Sequence, residues 1–423
     1  MIKRLISLVV IALFFAASTV SGEEYSVTAK HAIAVDLESG KVLYEKDAKE
    51  VVPVASVSKL LTTYLVYKEV SKGKLNWDSP VTISNYPYEL TTNYTISNVP
   101  LDKRKYTVKE LLSALVVNNA NSPAIALAEK IGGTEPKFVD KMKKQLRQWG
   151  ISDAKVVNST GLTNHFLGAN TYPNTEPDDE NCFCATDLAI IARHLLLEFP
   201  EVLKLSSKSS TIFAGQTIYS YNYMLKGMPC YREGVDGLFV GYSKKAGASF
   251  VATSVENQMR VITVVLNADQ SHEDDLAIFK TTNQLLQYLL INFQKVQLIE
   301  NNKPVKTLSV LDSSEKTVKL VAQNSLFFIK PIHTKTKNTV HITPIHTKTK
   351  NTVHITKKSS TMIAPLSKGQ VLGRATLQDK HLIGQGYLDT PPSINLILQK
   401  NISKSFFLKV WWNRFVRYVN TSL

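Results

Sequence analysis

The stretch "MRVITVVLNA" at 259–268 limits the possible folds more than any other part of this chain. It is β-branched and almost continuously apolar, without period-two alternation. A strand of that kind is buried on both faces, so its sheet must be covered on both sides. A second strand is expected just upstream at 248–255. At the other end, "HAIAVDLESGKVLYE" (31–45) alternates, turns at Ser39-Gly40 and alternates again, which reads as a hairpin. Between them the period is helical. Val57, Leu60, Leu61, Tyr64 and Leu65 follow i, i+3, i+4, i+7, i+8 spacing over 56–70. Further helices are expected at 107–118, 121–131, 135–149, 186–198 and 273–293. Strands at both ends of a helical middle predict an α/β domain whose sheet takes in the hairpin and the 235–267 segments.

The chain has 423 residues, enough for two or three domains. From Val296 to about Ile397 long helical patterns disappear and Val, Thr, Ile and Lys alternate, which predicts a small all-β domain. It contains a tandem repeat, "PIHTKTKNTVHIT" at 331–343 and again at 344–356. Thirteen is odd, so a copy placed in-line within a strand would exchange core and solvent faces downstream. One copy is therefore expected to project. Its histidines (333, 341, 346, 354) arise by duplication with no carboxylate or thiol, and no metal site is assigned to them.

Both termini carry segments of another kind. Lys3 and Arg4, an apolar run at 5–17 and small residues up to Gly22 read as a signal peptide over 1–22, with an uncleaved anchor as the alternative. The tail, 398–423, has five cations and no acid. On a helix, Phe407, Trp411, Phe415 and Tyr418 share one side, flanked by Leu408, Trp412 and Val419, with Lys409, Asn413 and Arg417 opposite. That pattern suits a helix lying in an anionic membrane interface; docking on the β-domain is the alternative. The formal charge of +15 fits an anionic membrane or wall surface. Nucleic acid is not an expected partner, because the cations do not interleave with aromatics on a recognisable module. Cys182, Cys184 and Cys230 are too few for a disulfide framework and lack a zinc-ligand pattern.

The chemistry concentrates in "PVASVSKLL" (53–61). Ser56 precedes Lys59 by one turn, so the two share a helix face, and the apolar stripe lies elsewhere. A desolvated lysine gives up its proton readily and can take one from serine, which makes Ser56 a candidate nucleophile and Lys59 its base. Downstream, "GVDGLFVGYSKKAG" (234–247) is punctuated by glycines, a sign of close approach by a ligand or backbone.

With "LLSALVVNNANSPAIALAEKIGG", "NSTGLT", "ATDLAIIARHLL" and "GVDGLFVGYSKKAGASFVATSVENQMRVITVVLNAD", the stretch 30–290 resembles the D-alanyl-D-alanine carboxypeptidases, the low-molecular-weight penicillin-binding proteins. The resemblance implies an α/β (α+β) penicillin-binding/β-lactamase-like transpeptidase domain over 23–295. A small all-β domain at 296–397 and an amphipathic helix at 398–423 would follow it. It also implies Ser56 as acylated nucleophile, Lys59 as general base, and Asn121 as a hydrogen-bonding partner of the substrate backbone. Two of the family's motifs depart. Asn119 stands where a proton-relaying serine is expected, and Lys-Thr-Gly is replaced by Phe239-Val240-Gly241. Gly241 still permits close substrate approach, whereas Phe239 marks the position of a missing carboxylate-binding lysine. Lys244 and Lys245 lie in the following turn, out of register. The implied activity is serine-type D-Ala-D-Ala carboxypeptidase action on peptidoglycan stem peptides, with impaired turnover. β-Lactams are candidate ligands, no cofactor is needed, and the location is the outer face of the membrane or the wall. The alternative is a non-catalytic wall-binding or scaffolding paralogue; a β-lactamase lacks specific support.

Overall fold

The computed structural model describes residues 25–268, 274–332, 352–357 and 362–422. The expected signal peptide therefore lies outside the described residues, as does most of the repeat. The frame of the first domain is a five-stranded antiparallel sheet. Its principal strands are β1 (Ala29–Asp36), β2 (Val42–Lys46), β3 (Val235–Ser243), β4 (Gly247–Glu256) and β5 (Met259–Ala268), in the order β2-β1-β5-β4-β3. As the 259–268 stretch predicts, β5 is buried almost throughout, at the centre of the sheet.

Two apolar clusters cover the two faces. On one side lie α1 (Lys59–Ser71), α2 (Val108–Asn118), α3 (Asn121–Gly132), α4 (Glu135–Gln148) and α5 (Ala185–Glu198), with Ile33, Val35, Val251, Ile262 and Val264 beneath them. On the other, α6 (Ala277–Asn292) packs Leu285, Leu286 and Leu289 against Phe250, Val261 and Val265. Caps fix the helix starts. Thr107 and Glu110 form a capping box on α2, and Cys184 and Asp187 do the same on α5.

The helix expected from 56 needs correcting in two respects. Ala55–Ser58 is a 3-10 turn, and the α-helix starts only at Lys59. Every position from Lys59 to Tyr67 is buried, so this helix has no solvent face opposite a core stripe. A central helix enclosed by others loses the amphipathic contrast that periodicity detects.

Strands resume at β6 (Phe293–Ile299), followed by β7 (Pro304–Leu311), β8 (Thr317–Ala322), β9 (Leu326–Pro331), β10 (Thr352–Lys357), β11 (Met362–Ile363), β12 (Val371–Gln378) and β13 (Ser393–Leu398). Six of them form a sheet in the order β10-β12-β13-β8-β7-β11, while β6 pairs with β9. The expectation that one repeat copy projects falls largely outside the described residues. Thr352–Thr356 of the second copy are in-line in β10, an edge strand that pairs antiparallel with β12. The two domains meet through a buried ion pair, Lys41 Nζ to Asp379 Oδ2 at 2.6 Å. Lys41 Nζ also donates to the Ile329 carbonyl at 2.7 Å, and the Tyr387 hydroxyl donates to Asp379 at 2.8 Å.

The tail forms α7 (Phe407–Ser422). Phe407, Leu408, Trp411, Trp412, Phe415 and Tyr418 are exposed, while Val410 is buried and Arg414 pairs with buried Asp312 at 3.1 Å. No described helix is long and apolar enough to cross a membrane. The cysteines are free thiols. Asp153, Cys184 and Asp187 lie close together, but Cys184 and Asp187 already cap α5, and burial beside the Asp187 carboxylate pushes the thiol up to about 12.

Candidate active site

The segment bearing Ser56 is held from three sides. Ala55 adopts a left-handed φ of 51°, uncommon for a residue with a side chain. The Ser58 hydroxyl donates to the Ala55 carbonyl at 3.0 Å and accepts from the Asn181 amide, also at 3.0 Å. The turn Asn158–Gly161 closes from above, with Asn158 Oδ1 accepting from the Gly161 and Thr160 amides. A Cβ at Gly161 would lie 2.0 Å from the Ala55 carbonyl oxygen, so only glycine fits there. Thr62 on α1 donates to the Ser159 carbonyl at 2.6 Å, and the buried Glu135 accepts from the Ser159 hydroxyl at 2.5 Å.

Within this cradle Lys59 Nζ donates to Ser56 Oγ at 2.7 Å. Lys59 is wholly buried, and desolvation is the cause that pulls its pKa well below the usual lysine value. Burial disfavours the ammonium, so the amine is poised to accept a proton. A short bond to a hydroxyl and a depressed lysine are what a serine nucleophile requires.

Asn119 and Asn121 flank the pair. Asn119 terminates α2 with φ 58°, a left-handed cap that asparagine tolerates. Its Nδ2 donates to the Val240 carbonyl at 2.7 Å. Asn121, the first residue of α3, donates to the Ser97 carbonyl at 2.8 Å. One N–H of each side-chain amide is thus engaged with main chain, and the two amide oxygens lack partners among the described residues.

β3 forms the facing wall. A Cβ at Gly241 would lie 2.9 Å from both Ser56 N and Val54 O, so the strand approaches the Ser56 backbone as closely as glycine permits. Phe239 does not line the cavity. Its ring is 1 % exposed and packs into the helical core cluster. Val240 does line it. Beyond them, Ser243 and Thr163 each donate to Glu180 at 2.7 Å, joining strand and turn. Lys245 Nζ donates to the Asp178 carbonyl at 2.5 Å, and Lys244 is exposed. The cavity enclosed by these walls measures about 940 Å³ and reaches from Ser56 to Tyr94, Tyr221 and Tyr242.

The D-alanyl-D-alanine carboxypeptidase family model matches residues 17–270, and the penicillin-binding protein 5 C-terminal domain matches 293–404. The chain belongs to this family of low-molecular-weight penicillin-binding proteins. Among curated relatives, the D-alanyl-D-alanine carboxypeptidase DacF of Bacillus subtilis is 26% identical, over 89% of this chain and 90% of that one. DacA of Haemophilus influenzae is 27% identical over the same shares. A crystal structure of a peptidoglycan synthesis regulatory factor (PBP3) from Streptococcus pneumoniae superposes with a TM-score of 0.81. It shares 45% identity and is covered in full by 90% of this chain. Penicillin-binding protein D2 of Listeria monocytogenes, in its ampicillin-bound form, is 27% identical with a TM-score of 0.52. That match covers 63% of this chain and 98% of the Listeria one. The mixed α/β domain and the all-β domain of this penicillin-binding protein agree with the architecture expected from sequence.

Sequence reasoning did not single out Glu135, Ser159, Asn181 or Glu180. All are polar and buried, and each bridges segments remote in sequence. The i, i+3 spacing reveals Ser56 and Lys59; it carries no signal for partners brought in by the fold.

Proposed function

We propose that this chain is an exported serine-type D-Ala-D-Ala carboxypeptidase homologue that engages peptidoglycan stem peptides through Ser56, with impaired turnover. The observation that carries the reading is the 2.7 Å bond between Ser56 Oγ and a fully buried, readily deprotonated Lys59. In the forward step Ser56 Oγ attacks the carbonyl of the penultimate D-Ala and its proton passes to Lys59. The C–N bond then breaks and D-Ala leaves with a proton. Water hydrolyses the acyl-enzyme and regenerates Ser56. β-Lactams offer an acyl group to the same oxygen, in keeping with the ampicillin-bound relative.

Impairment belongs to the other half of the site. A hydrogen bond to a charged group contributes about 1.5–3 kcal/mol, or roughly 10- to 200-fold. Phe239 and Val240 supply no such bond to a substrate carboxylate, and one N–H of the Asn119 amide is engaged by the Val240 carbonyl. The same observations favour a second reading, a wall-binding or scaffolding paralogue that does not turn over. On either reading the exposed aromatic side of α7 and the cations of the tail serve an anionic membrane surface.

Two measurements test the proposal. Intact mass after incubation with a penicillin is expected to show one adduct in the wild type and none in Ser56→Ala. Release of D-Ala from a stem peptide, followed to steady state, separates slow turnover from none. Failure of wild-type protein to acylate sinks the enzymatic reading.

A further inference from the structure

β3 runs along the cavity and turns at 244–246 into β4. That turn is pinned to the wall opposite. Ser243 Oγ donates to Glu180 at 2.7 Å and accepts from the Ala246 amide at 2.9 Å, and Lys245 Nζ donates to the Asp178 carbonyl at 2.5 Å. Lys244 and Lys245 both line the cavity that holds Ser56, and among the described residues they are the lining side chains that are cationic at neutral pH.

Most other donors in the lining are committed elsewhere. Thr95 donates to Asn93, Ser97 to the Asn118 carbonyl and Thr163 to Glu180. Asn119 and Asn121 each spend one amide N–H on main chain. What remains is neutral: the second amide N–H groups and the hydroxyls of Tyr94, Tyr221 and Tyr242. A carboxylate entering this cavity finds its charge-assisted partners, the stronger kind, only at the turn.

The two lysines differ. Lys245 is bound to Asp178, and part of its field falls on Asp179, a carboxyl held below its ordinary range chiefly by its bond to Lys155. Lys244 makes no hydrogen bond or ion pair among the described residues. The acids on the same wall leave it free: Glu180 is taken up by Ser243 and Thr163, and Asp178 is exposed to water. A compact ammonium on a flexible four-carbon stem, carried by a fixed turn, can reach back along β3.

We propose that Lys244 is the carboxylate-binding residue of this site. Its ammonium meets the C-terminal carboxylate of the stem peptide from the turn after β3, in place of the lysine that the resemblance expects at 239. The inference rests on the reading of this cavity as a peptidoglycan-peptide site and adds a specificity residue to it. A cation acting from an exposed turn is screened by water, so it selects a free carboxylate over a neutral end only modestly.

Calorimetric titration of the full chain with an N-acetylated Lys-D-Ala-D-Ala peptide, as free acid and as carboxamide, tests this. Wild-type protein is expected to bind the acid about three- to tenfold tighter than the carboxamide. Raising the ionic strength from about 0.1 M to about 1 M shortens the screening length from about 10 Å to about 3 Å and is expected to erase most of that preference. Lys244→Gln is expected to abolish it by weakening the acid alone, whereas Lys244→Arg and Lys245→Gln keep it. All three changes fall at exposed positions, and thermal melting checks the fold. Equal binding of the two peptides by wild type, binding of neither, or a preference that survives Lys244→Gln overturns the proposal. A preference lost equally in Lys244→Gln and Lys245→Gln belongs to the summed charge of the turn and overturns Lys244 as the contact. Intact mass after penicillin treatment of the same wild-type sample separates the two failures. An adduct on Ser56 leaves the peptidase site standing while Lys244 loses its assignment, and absence of both adduct and peptide binding removes both.

Discussion

Asn119 Nδ2 donates to the main-chain carbonyl of Val240 at 2.7 Å, tying the end of α2 to the β3 wall of the cavity. The two segments that the sequence resemblance expects to depart from the family pattern are therefore in direct contact. A serine at 119 is too short to make the same bond, and a lysine at 239 would enter the space that the Phe239 ring fills. Reverting one position alone leaves the others mismatched.

The triple variant Asn119→Ser, Phe239→Lys, Val240→Thr is accordingly expected to release D-Ala at least about tenfold faster than wild type, by supplying a hydroxyl to the substrate carboxylate from the cavity-lining position 240. Removing a buried ring has a stability cost of about 2–4 kcal/mol, read by thermal melting. A folded triple variant with unchanged D-Ala release would place the defect elsewhere.

Acylation of Ser56 is expected to climb with pH as Lys59 loses its proton, with an inflection well below 10.5, because burial depresses this amine. The same shift governs stability. The unfolded chain keeps the proton up to about 10.5, whereas the folded chain releases it earlier. Between the two values the unfolded state binds more protons, so wild-type stability contributed by this group rises with pH. Lys59→Met is expected to abolish the penicillin adduct and to melt higher at neutral pH by about 0.5–2 kcal/mol, a gain that shrinks towards pH 10.5. A destabilised Lys59→Met, or a pH-independent acylation rate, contradicts this account.

Gly241→Ala puts a methyl 2.9 Å from Ser56 N and Val54 O, both backbone atoms that cannot swing aside. The strand or the Ser56 turn must shift, at about 1–3 kcal/mol. The expected outcome is loss of the penicillin adduct with a lowered melting temperature. Retention of wild-type acylation would mean that this approach is not needed for the chemistry.

Legibility in the sequence followed how local each signal is. β5 could be read because its continuous apolar run reports its burial on both faces; the 31–45 hairpin was read from its turn, although β1 is buried on both faces rather than alternately. Ser56 and Lys59 could be read because three residues of one turn bring them together. The 3-10 start at Ala55 was not legible, since its left-handed φ is imposed by the Gly161 turn and β3. Register alone places Phe239 where the resemblance expects a lysine, and which way its ring points depends on the helical layer opposite β3. Nothing local in the sequence marks Glu180 and Glu135, which the fold encloses.

The Lys41–Asp379 pair, with both side chains 1 % exposed, couples the two domains. Burial pulls Lys41 down while the Asp379 carboxylate opposes that pull. Truncating one partner strands the other charge, at about 3–5 kcal/mol. Asp379→Ala is expected to split calorimetric unfolding into two transitions, with the β-domain melting first. A single transition at the wild-type temperature would show that the domains do not depend on this pair.

The final prediction concerns the repeat. Thr352–Thr356 of the second copy occupy β10, whose register with β12 runs from Thr352 opposite Gln378 to Lys357 opposite Gly373. The first copy ends in the same five residues, Thr339–Thr343. Deleting 344–356 therefore leaves one copy whose Thr339–Thr343 can take the same register, followed by the same Lys357. The odd length of thirteen no longer threatens the faces of the sheet, because pairing with β12 sets the register and the connection absorbs the change. Seven residues (332–338) would then join Pro331 to the strand, enough to span roughly 23–25 Å. Shortening a connection from twenty residues to seven lowers its closure entropy by about 0.9 kcal/mol. The deletion variant is expected to keep its fold and to match or exceed wild-type stability by up to about 1 kcal/mol in denaturant melts. Deleting 339–356 removes both copies of the strand sequence, uncovers the edge of β12 and is expected to destabilise the β-domain. If the thirteen-residue deletion is as damaging as the longer one, the copies are not interchangeable and the first contributes structure of its own.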